Sequence, residues 1–183
     1  MTSDALVARR YAKALFEVAR EKQAVREVEA ELKSVIGVLD GHEDLERFLN
    51  HPNIAASSKI ELLQKIFSGQ VREEIINTFR LLIERRREGL LRSLHGHYVN
   101  IANEALGQAD AEVATAVPLT DEEVRAVGEK FSQLTGKTVR VHNIVKPDIL
   151  GGIQVQIGDR LYDASLAGKL SRLQKQLQQN QAL

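Results

Sequence analysis

No cysteine occurs anywhere in the 183 residues. Disulfides, thiolate metal sites and a cysteine nucleophile are excluded together. Tryptophan is absent as well, and aromatic residues make up only 4% of the chain. So few rings argue against an aromatic-lined ligand pocket or a platform on which bases stack. An excess of one charge is also missing, since 25 Lys and Arg balance 25 Asp and Glu. Nucleic-acid binders usually carry a basic surplus, so no nucleic-acid partner is expected. No apolar run reaches the roughly 18 residues of a membrane span, so no direct membrane insertion is expected. At the N-terminus acidic residues interrupt the basic ones and no apolar signal core follows, which predicts neither a signal nor a transit peptide. The expected location is cytosolic, or peripheral on the cytosolic side of a membrane. The remaining composition, 43% hydrophobic and 27% charged, is that of an ordinary globular protein.

Catalytic signatures are missing too. There is neither a G-x-x-x-x-G-K-[ST] loop nor a G-x-G-x-x-G loop. Gly151-Gly152 precedes a strand, so no helix N-terminus is available to a phosphate; the pair reads as a tight turn where two backbones approach. His95 and His97 stand two apart, on different faces of a helix, so a shared metal ion is not expected. His42, His51 and His142 are scattered. Asp121-Glu122-Glu123 occupies the first turn of a helix, where negative charge is favoured in any case. Arg85-Arg86-Arg87 is flanked by Glu84 and Glu88 and reads as a solvated helix end. No enzyme activity, cofactor or metal site is expected.

What the chain does contain is amphipathic helix. At about 100° per residue, Val7, Ala8, Tyr11, Ala12, Ala14, Leu15, Phe16, Val18 and Ala19 fill an arc of about 200°. A surface helix needs only somewhat more than about 100°. The helix over 4–22 is therefore covered from two sides, one by its own core and the other by a bundle neighbour or a partner's helix. A second wide face, about 140°, lies over 71–87 with Val71, Ile75, Ile76, Phe79, Leu82 and Ile83, and Leu81 further round. Helical spacing also marks 25–39 and a short segment around Leu45–Leu49 that ends before His51-Pro52. Ser58-Lys59-Ile60-Glu61 reads as a capping box opening a further helix, and a long helix follows over 90–106. Six helices in about 105 residues predict an antiparallel bundle over 1–107.

The pattern changes after Gly107. Residues 110–117 alternate like a strand, and Thr120-Asp121-Glu122-Glu123 is a second capping box, opening a helix through Leu134. Strands follow over 139–145 and 153–157, with a return at Leu161 and Tyr162. Leu166, Leu170, Leu173 and Leu177 then mark a last amphipathic helix that fades into Gln-rich sequence. The fold class is α+β with two domains: the bundle, then a small α/β domain over 108–183 ending in that helix. Wide apolar faces without a catalytic constellation suggest a two-ended adaptor.

Three stretches resemble a known family. Arg10-Tyr11-Ala12-Lys13-Ala14-Leu15-Phe16 is similar to the opening motif of the δ subunits of F-type ATP synthase, called the oligomycin-sensitivity-conferring protein in mitochondria. Ala116-Val117-Pro118-Leu119-Thr120 resembles the entry to that family's C-terminal domain. Residues 139–163, VRVHNIVKPDILGGIQVQIGDRLYD, resemble its signature, with Asp148 shortly before Gly151-Gly152 and Ile157-Gly158-Asp159 after. The chain departs from the family at Ala164, Lys146 and the turn Arg85-Arg86-Arg87-Glu88.

The resemblance implies a non-catalytic stator subunit, one copy in a large hetero-oligomer. It implies a bundle that binds the N-terminal helices of the α subunits of the catalytic head. The groove would lie between the first and fifth helices, with Tyr11, Ala14, Leu15 and Val18 facing Ile76, Phe79 and Ile83. The C-terminal domain would hold the b subunits of the peripheral stalk through Leu166, Leu170, Leu173 and Leu177. Such a subunit is peripheral on the cytoplasmic face of the bacterial inner membrane and keeps the head from turning with the rotor. The alternative is a helical adaptor or scaffold outside the ATP synthase.

Overall fold

The computed structural model describes residues 3–180. The chain is α+β and divides into two compact units, Met1–Ala102 and Asn103–Leu183. The first holds α1 (Ser3–Glu21), α2 (Val25–Gly41), α3 (Glu43–Asn50), α4 (Ala56–Phe67), α5 (Glu73–Glu84), a 3₁₀ turn Glu88–Leu90 and most of α6 (Leu91–Ala105). These helices form because their apolar residues recur at three and four, and that stripe is what each one buries. Leu15 and Phe16 of α1, Leu32 and Val35 of α2, Leu49 of α3, Leu63 and Phe67 of α4, Phe79 and Leu82 of α5, and Leu94 and Tyr98 of α6 all belong to one core. Burying each large side chain contributes about 1.5–3 kcal/mol before the loss of chain entropy is subtracted. The Phe16 and Tyr98 rings meet edge to face at 6.2 Å. The Tyr98 hydroxyl donates to the Val25 carbonyl at 3.0 Å, which ties α6 to the start of α2 and leaves the buried phenol satisfied.

Two helix ends differ from expectation. The Ser58 capping box does not form: α4 starts at Ala56, after Ala55, which makes no side-chain cap bond. Ser58 and Lys59 already donate their amides to the Ala55 carbonyl, so the chain is helical before the motif begins. The earlier start lets Lys59 turn inward, where it is buried. At the other end of the region, α5 stops at Glu84 and does not run to Arg87. Arg86 adopts φ +53. The Arg86 and Arg87 amides bond back to the Ile83 and Leu82 carbonyls, closing α5 with a Schellman turn. Arginine holds the left-handed position where glycine is usual.

The second unit is a four-stranded sheet of order β2-β1-β3-β4, formed by β1 (Gln108–Thr115), β2 (Thr138–Val145), β3 (Ile153–Ile157) and β4 (Arg160–Asp163). β1 and β2 are parallel, in register from Gln108↔Thr138 to Thr115↔Val145. A parallel pair needs a crossover, and α7 (Asp121–Thr135) supplies it. Thr120 caps α7 as expected: its hydroxyl accepts from the Glu123 amide, and its own amide donates to the Glu123 carboxylate at 2.8 Å. α7 covers one face of the sheet, where Phe131 packs with Ala111, Val113, Val139 and Val155. Its ring meets Tyr162 at 5.3 Å. β3 pairs antiparallel with both β1 and β4. A 3₁₀ turn, Pro147–Ile149, leads into the glycine pair before β3, and α8 (Leu166–Asn180) follows β4.

Candidate functional site

The flank of α1 is the first apolar surface left over after folding. Ala8, Ala12, Leu15, Phe16 and Ala19 are buried in the helical core. Tyr11 is half-buried, and Ala14 and Val18 are exposed, so they form a second, outward stripe beside the first. The 200° arc is thus divided between an inner face and an outer one.

α5 packs against α1, and the Lys22–Glu74 ion pair sets the end of α1 beside the start of α5. On α5, Glu74, Thr78 and Leu81 follow one another at four and three, along one flank. Thr78 is buried and donates its hydroxyl to the Glu74 carbonyl at 2.7 Å, while Leu81 is about half exposed. Leu81 therefore shares the flank of α5 that carries Glu74, the partner of Lys22 at the end of α1. Phe79 and Ile83 are buried in the core, together with Leu15. Ile76 stands on the opposite flank, where with Phe67, Val71 and Arg80 it lines a separate cleft between α4 and α5. Of the seven residues expected in the groove, Tyr11, Ala14 and Val18 share an accessible surface. Leu81, further round the α5 wheel than the residues expected in the groove, is also exposed.

The second surface is α8. Leu166, Leu170, Leu173 and Leu177 all project from the helix about half-exposed. The start of the helix is nonetheless firmly held. The Asp163 carboxylate accepts from the Ser165 amide at 2.9 Å and from its hydroxyl at 2.6 Å. Ser165 Oγ in turn accepts from the Gly168 amide at 3.0 Å, as an N-cap does. These two donors from Ser165, the hydroxyl first, lower the Asp163 pKa below the usual carboxylate range. A Cβ at Gly168 would collide with the Asp163 carboxylate. Gly→Ala inside a helix ordinarily stabilises by about 1 kcal/mol. Here the sign should reverse, since alanine displaces the carboxylate and loosens a cap worth about 0.5–2 kcal/mol. Hydrogen exchange at 166–170 should be faster in Gly168→Ala; slower exchange would refute this account of the cap.

The sheet face away from α7 is polar. Asp110 accepts from Arg140 Nε at 2.8 Å and Nη2 at 3.0 Å, and from Asn103 Nδ2 at 2.7 Å. His142 Nε2 lies 3.3 Å from the same carboxylate. Burial pushes the Asp110 pKa up, but the hydrogen bonds from Arg140 and Asn103, the Arg140 charge and His142 outweigh it, and the net shift is downward. A carboxylate held ionised in this way is a structural anchor for the last turn of α6, not a general base. Asn143 plays a similar part on β2: Oδ1 accepts from the Leu119 amide and Nδ2 donates to the Val113 carbonyl, pinning the chain between β1 and α7. Glu123 of the acidic triplet is held in the Thr120 capping box, whose amide and hydroxyl lower its pKa. Arg85, Arg86 and Arg87 are all exposed.

An apolar flank beside Leu81 and an uncovered leucine stripe, with charged clusters given over to capping and anchoring, define a docking protein. The comparisons with known proteins agree. Residues 7–177 match the family described as ATP synthase delta (OSCP) subunit. ATP synthase subunit delta of Brevibacillus brevis is 46% identical over 164 residues, covering 90% of this chain and 94% of that protein. Its counterpart in Bacillus thuringiensis is 43% identical over 179 residues, covering 97% and 99%. A chain of the Toxoplasma gondii mitochondrial ATP synthase hexamer superimposes with a TM-score of 0.70 over 97% of this chain and 98% of that one, at 22% identity, a likeness of fold.

The chain belongs to the ATP synthase delta (OSCP) subunit family. It is a stator subunit of F-type ATP synthase, a structural component and not a catalytic one. Membership sets aside the alternative of an adaptor outside that complex. It places the chain in a membrane-associated assembly, while no helix among the described residues is long and apolar enough to cross a membrane.

Proposed function

We propose that the chain ties the catalytic head of the synthase to its peripheral stalk. In this reading α1–α6 act as one antiparallel bundle, the head-binding domain over 1–107, and 108–183 is the stalk-binding domain. The N-terminal helix of an α subunit lies along Tyr11, Ala14 and Val18, with Leu81 contributing from α5. Leu15, Phe79 and Ile83 support that wall from within the core. The b subunits take the leucine stripe of α8. One copy per complex, peripheral on the cytoplasmic face of the bacterial membrane, then holds the head still while the rotor turns, so that proton-driven rotation drives ATP synthesis.

The exposed stripe Tyr11-Ala14-Val18 is the observation that supports the head contact most directly. Tyr11, Val18 and Leu81 at about 1.5–3 kcal/mol each, with Ala14 at about 0.8, give at most roughly 5–10 kcal/mol. Association opposes this by about 4–15 kcal/mol. A single contact is therefore only moderately tight, and a stator needs several acting together. Ala14 is the place to test, because a small residue lets a partner backbone approach and its exposure spares the core. Ala14→Asp should weaken binding of an α-subunit N-terminal peptide while the circular dichroism melt stays as in wild type. Removing 166–183 should abolish capture of the stalk and leave peptide affinity untouched. Unchanged calorimetry with Ala14→Asp would move the head contact elsewhere, and stalk capture by the truncated chain would remove α8 from the reading.

A further inference from the structure

Leu150 follows the 3₁₀ turn Pro147–Ile149 with φ +64 and ψ −28. In that left-handed region Cβ crowds the carbonyl oxygen, so it is left mostly to glycine, with Asn and Asp as occasional occupants. Among the described residues only Gln23 and Arg86 share a positive φ without being glycine, and both are polar residues in turns that close helices. Leu150 is apolar, and 64% of it is exposed. An exposed apolar residue held in a strained conformation points to use by another molecule.

Its surroundings say where that molecule sits. The next residue, Gly151, accepts from the Leu166 amide at 2.9 Å. A Cβ on Gly151 would stand 3.0 Å from Leu166 Cδ1, so the Leu166 side chain borders the turn. From Leu166 the stripe runs on through Leu170, Leu173 and Leu177 at spacings of four, three and four. These four leucines are 48%, 58%, 52% and 56% exposed. Eleven helical steps, from Leu166 to Leu177, carry the line over about 16 Å. A straight row of leucines at this spacing fits the apolar stripe of another helix. The charge on α8 is one-sided: Lys169, Arg172 and Lys175 occur there with no Asp or Glu. Arg172 leans toward Asp163, at 4.0 Å. Lys169 flanks the stripe, about 70° from its centre on the helical wheel.

We propose that Leu150 is the fixed anchor at the head of the α8 surface, and that the segment covering the surface is an amphipathic helix with acidic residues beside its apolar stripe. The inference rests on the reading of α8 as the stalk-binding element. Because the strained turn presents Leu150 before the partner arrives, little side-chain and loop ordering remains to oppose binding. Lys169 supplies the matching charge at the rim, where it guides association and orientation.

The test uses the full chain and the soluble segment of the stalk subunit in calorimetry, with Leu150→Gly and Leu173→Asp. Leu150→Gly should bind roughly tenfold more weakly or worse. Its melting temperature should equal or exceed that of wild type, because glycine adopts φ +64 freely. A lower melting temperature with affinity retained would overturn the proposal, since that is how a merely structural residue behaves. If Leu150→Gly binds normally while Leu173→Asp does not, the anchor is wrong and the α8 reading survives. If neither variant changes binding, both fall. Affinity should also drop as KCl is raised and in Lys169→Glu. Affinity that is unchanged or stronger in either arm would overturn the acidic partner.

Discussion

Gly152→Val should destabilise the C-terminal unit by about 3 kcal/mol or more, a loss that few single substitutions reach. Gly152 adopts φ +74. Forcing an L residue into the left-handed region costs about 1–2 kcal/mol, and a β-branched side chain fits it worst. Sterics add to this. A Cβ at Gly152 would stand 2.6 Å from the Ala164 carbonyl oxygen and 3.3 Å from Ser165 Cα. Both neighbours are backbone, so neither can swing aside as a side chain would. Moving them disturbs the bond from the Ala164 amide to the Ile153 carbonyl at 3.0 Å. It also disturbs Ser165, the buried cap of α8. The damage should therefore reach α8 and spare the helical unit.

Gly151 provides the contrast. The atom nearest a Cβ there belongs to the Leu166 side chain, which can rotate. Gly151→Ala should cost much less than Gly152→Val. Differential scanning calorimetry of the two variants checks the argument. An unchanged transition in Gly152→Val, or equal losses in both, would show that the backbone contact is not limiting.

This close approach was legible in the sequence, because two adjacent glycines ahead of an alternating strand have few other uses. So were the element types, since apolar periods of 3.6 and 2 are local properties. The Thr120 capping box could be read for the same reason: Thr120 and Glu123, three positions apart, satisfy one another. Features that depend on distant partners could not be read. Ser58 and Glu61 have the spacing of a capping box, but the earlier start at Ala56 lets Lys59 reach a carboxylate 29 positions away. The end of α5 was overrun because Arg86, and not glycine, holds the left-handed position. A helical wheel gave the width of the α1 arc, while Val71, counted in the α5 arc, lies before that helix. The wheel could not say on which side of α5 its neighbours lie, and so it did not separate Ile76, on the cleft with Phe67 and Val71, from the flank that carries Glu74 and Leu81. Asn103 belongs with the sheet unit through Asp110 and Arg140, a connection that helical periodicity does not reveal.

Lys59→Met should destabilise the helical unit by about 3–5 kcal/mol, the usual result of removing one partner from a buried ion pair. Lys59 Nζ donates to Glu88 Oε1 at 2.5 Å, with the two side chains only 5% and 11% exposed. Methionine fills the space of the lysine stem, so little cavity forms. The loss comes from a carboxylate left in a place that water barely reaches. Glu88 opens the 3₁₀ turn between α5 and α6, so releasing it also loosens the end of the helix that carries Leu81. The double variant Lys59→Met/Glu88→Leu removes both charges and should recover most of the stability, because an apolar pair of similar volume needs no desolvation of charge. Urea unfolding of wild type, both single variants and the double variant gives the coupling energy directly, and it should exceed about 2 kcal/mol. Additive losses would mean that the pair is solvated in practice and that the α5–α6 turn is held by packing alone. Strong coupling would identify the Lys59–Glu88 pair as what fixes the far end of α5, on which the proposed head contact depends.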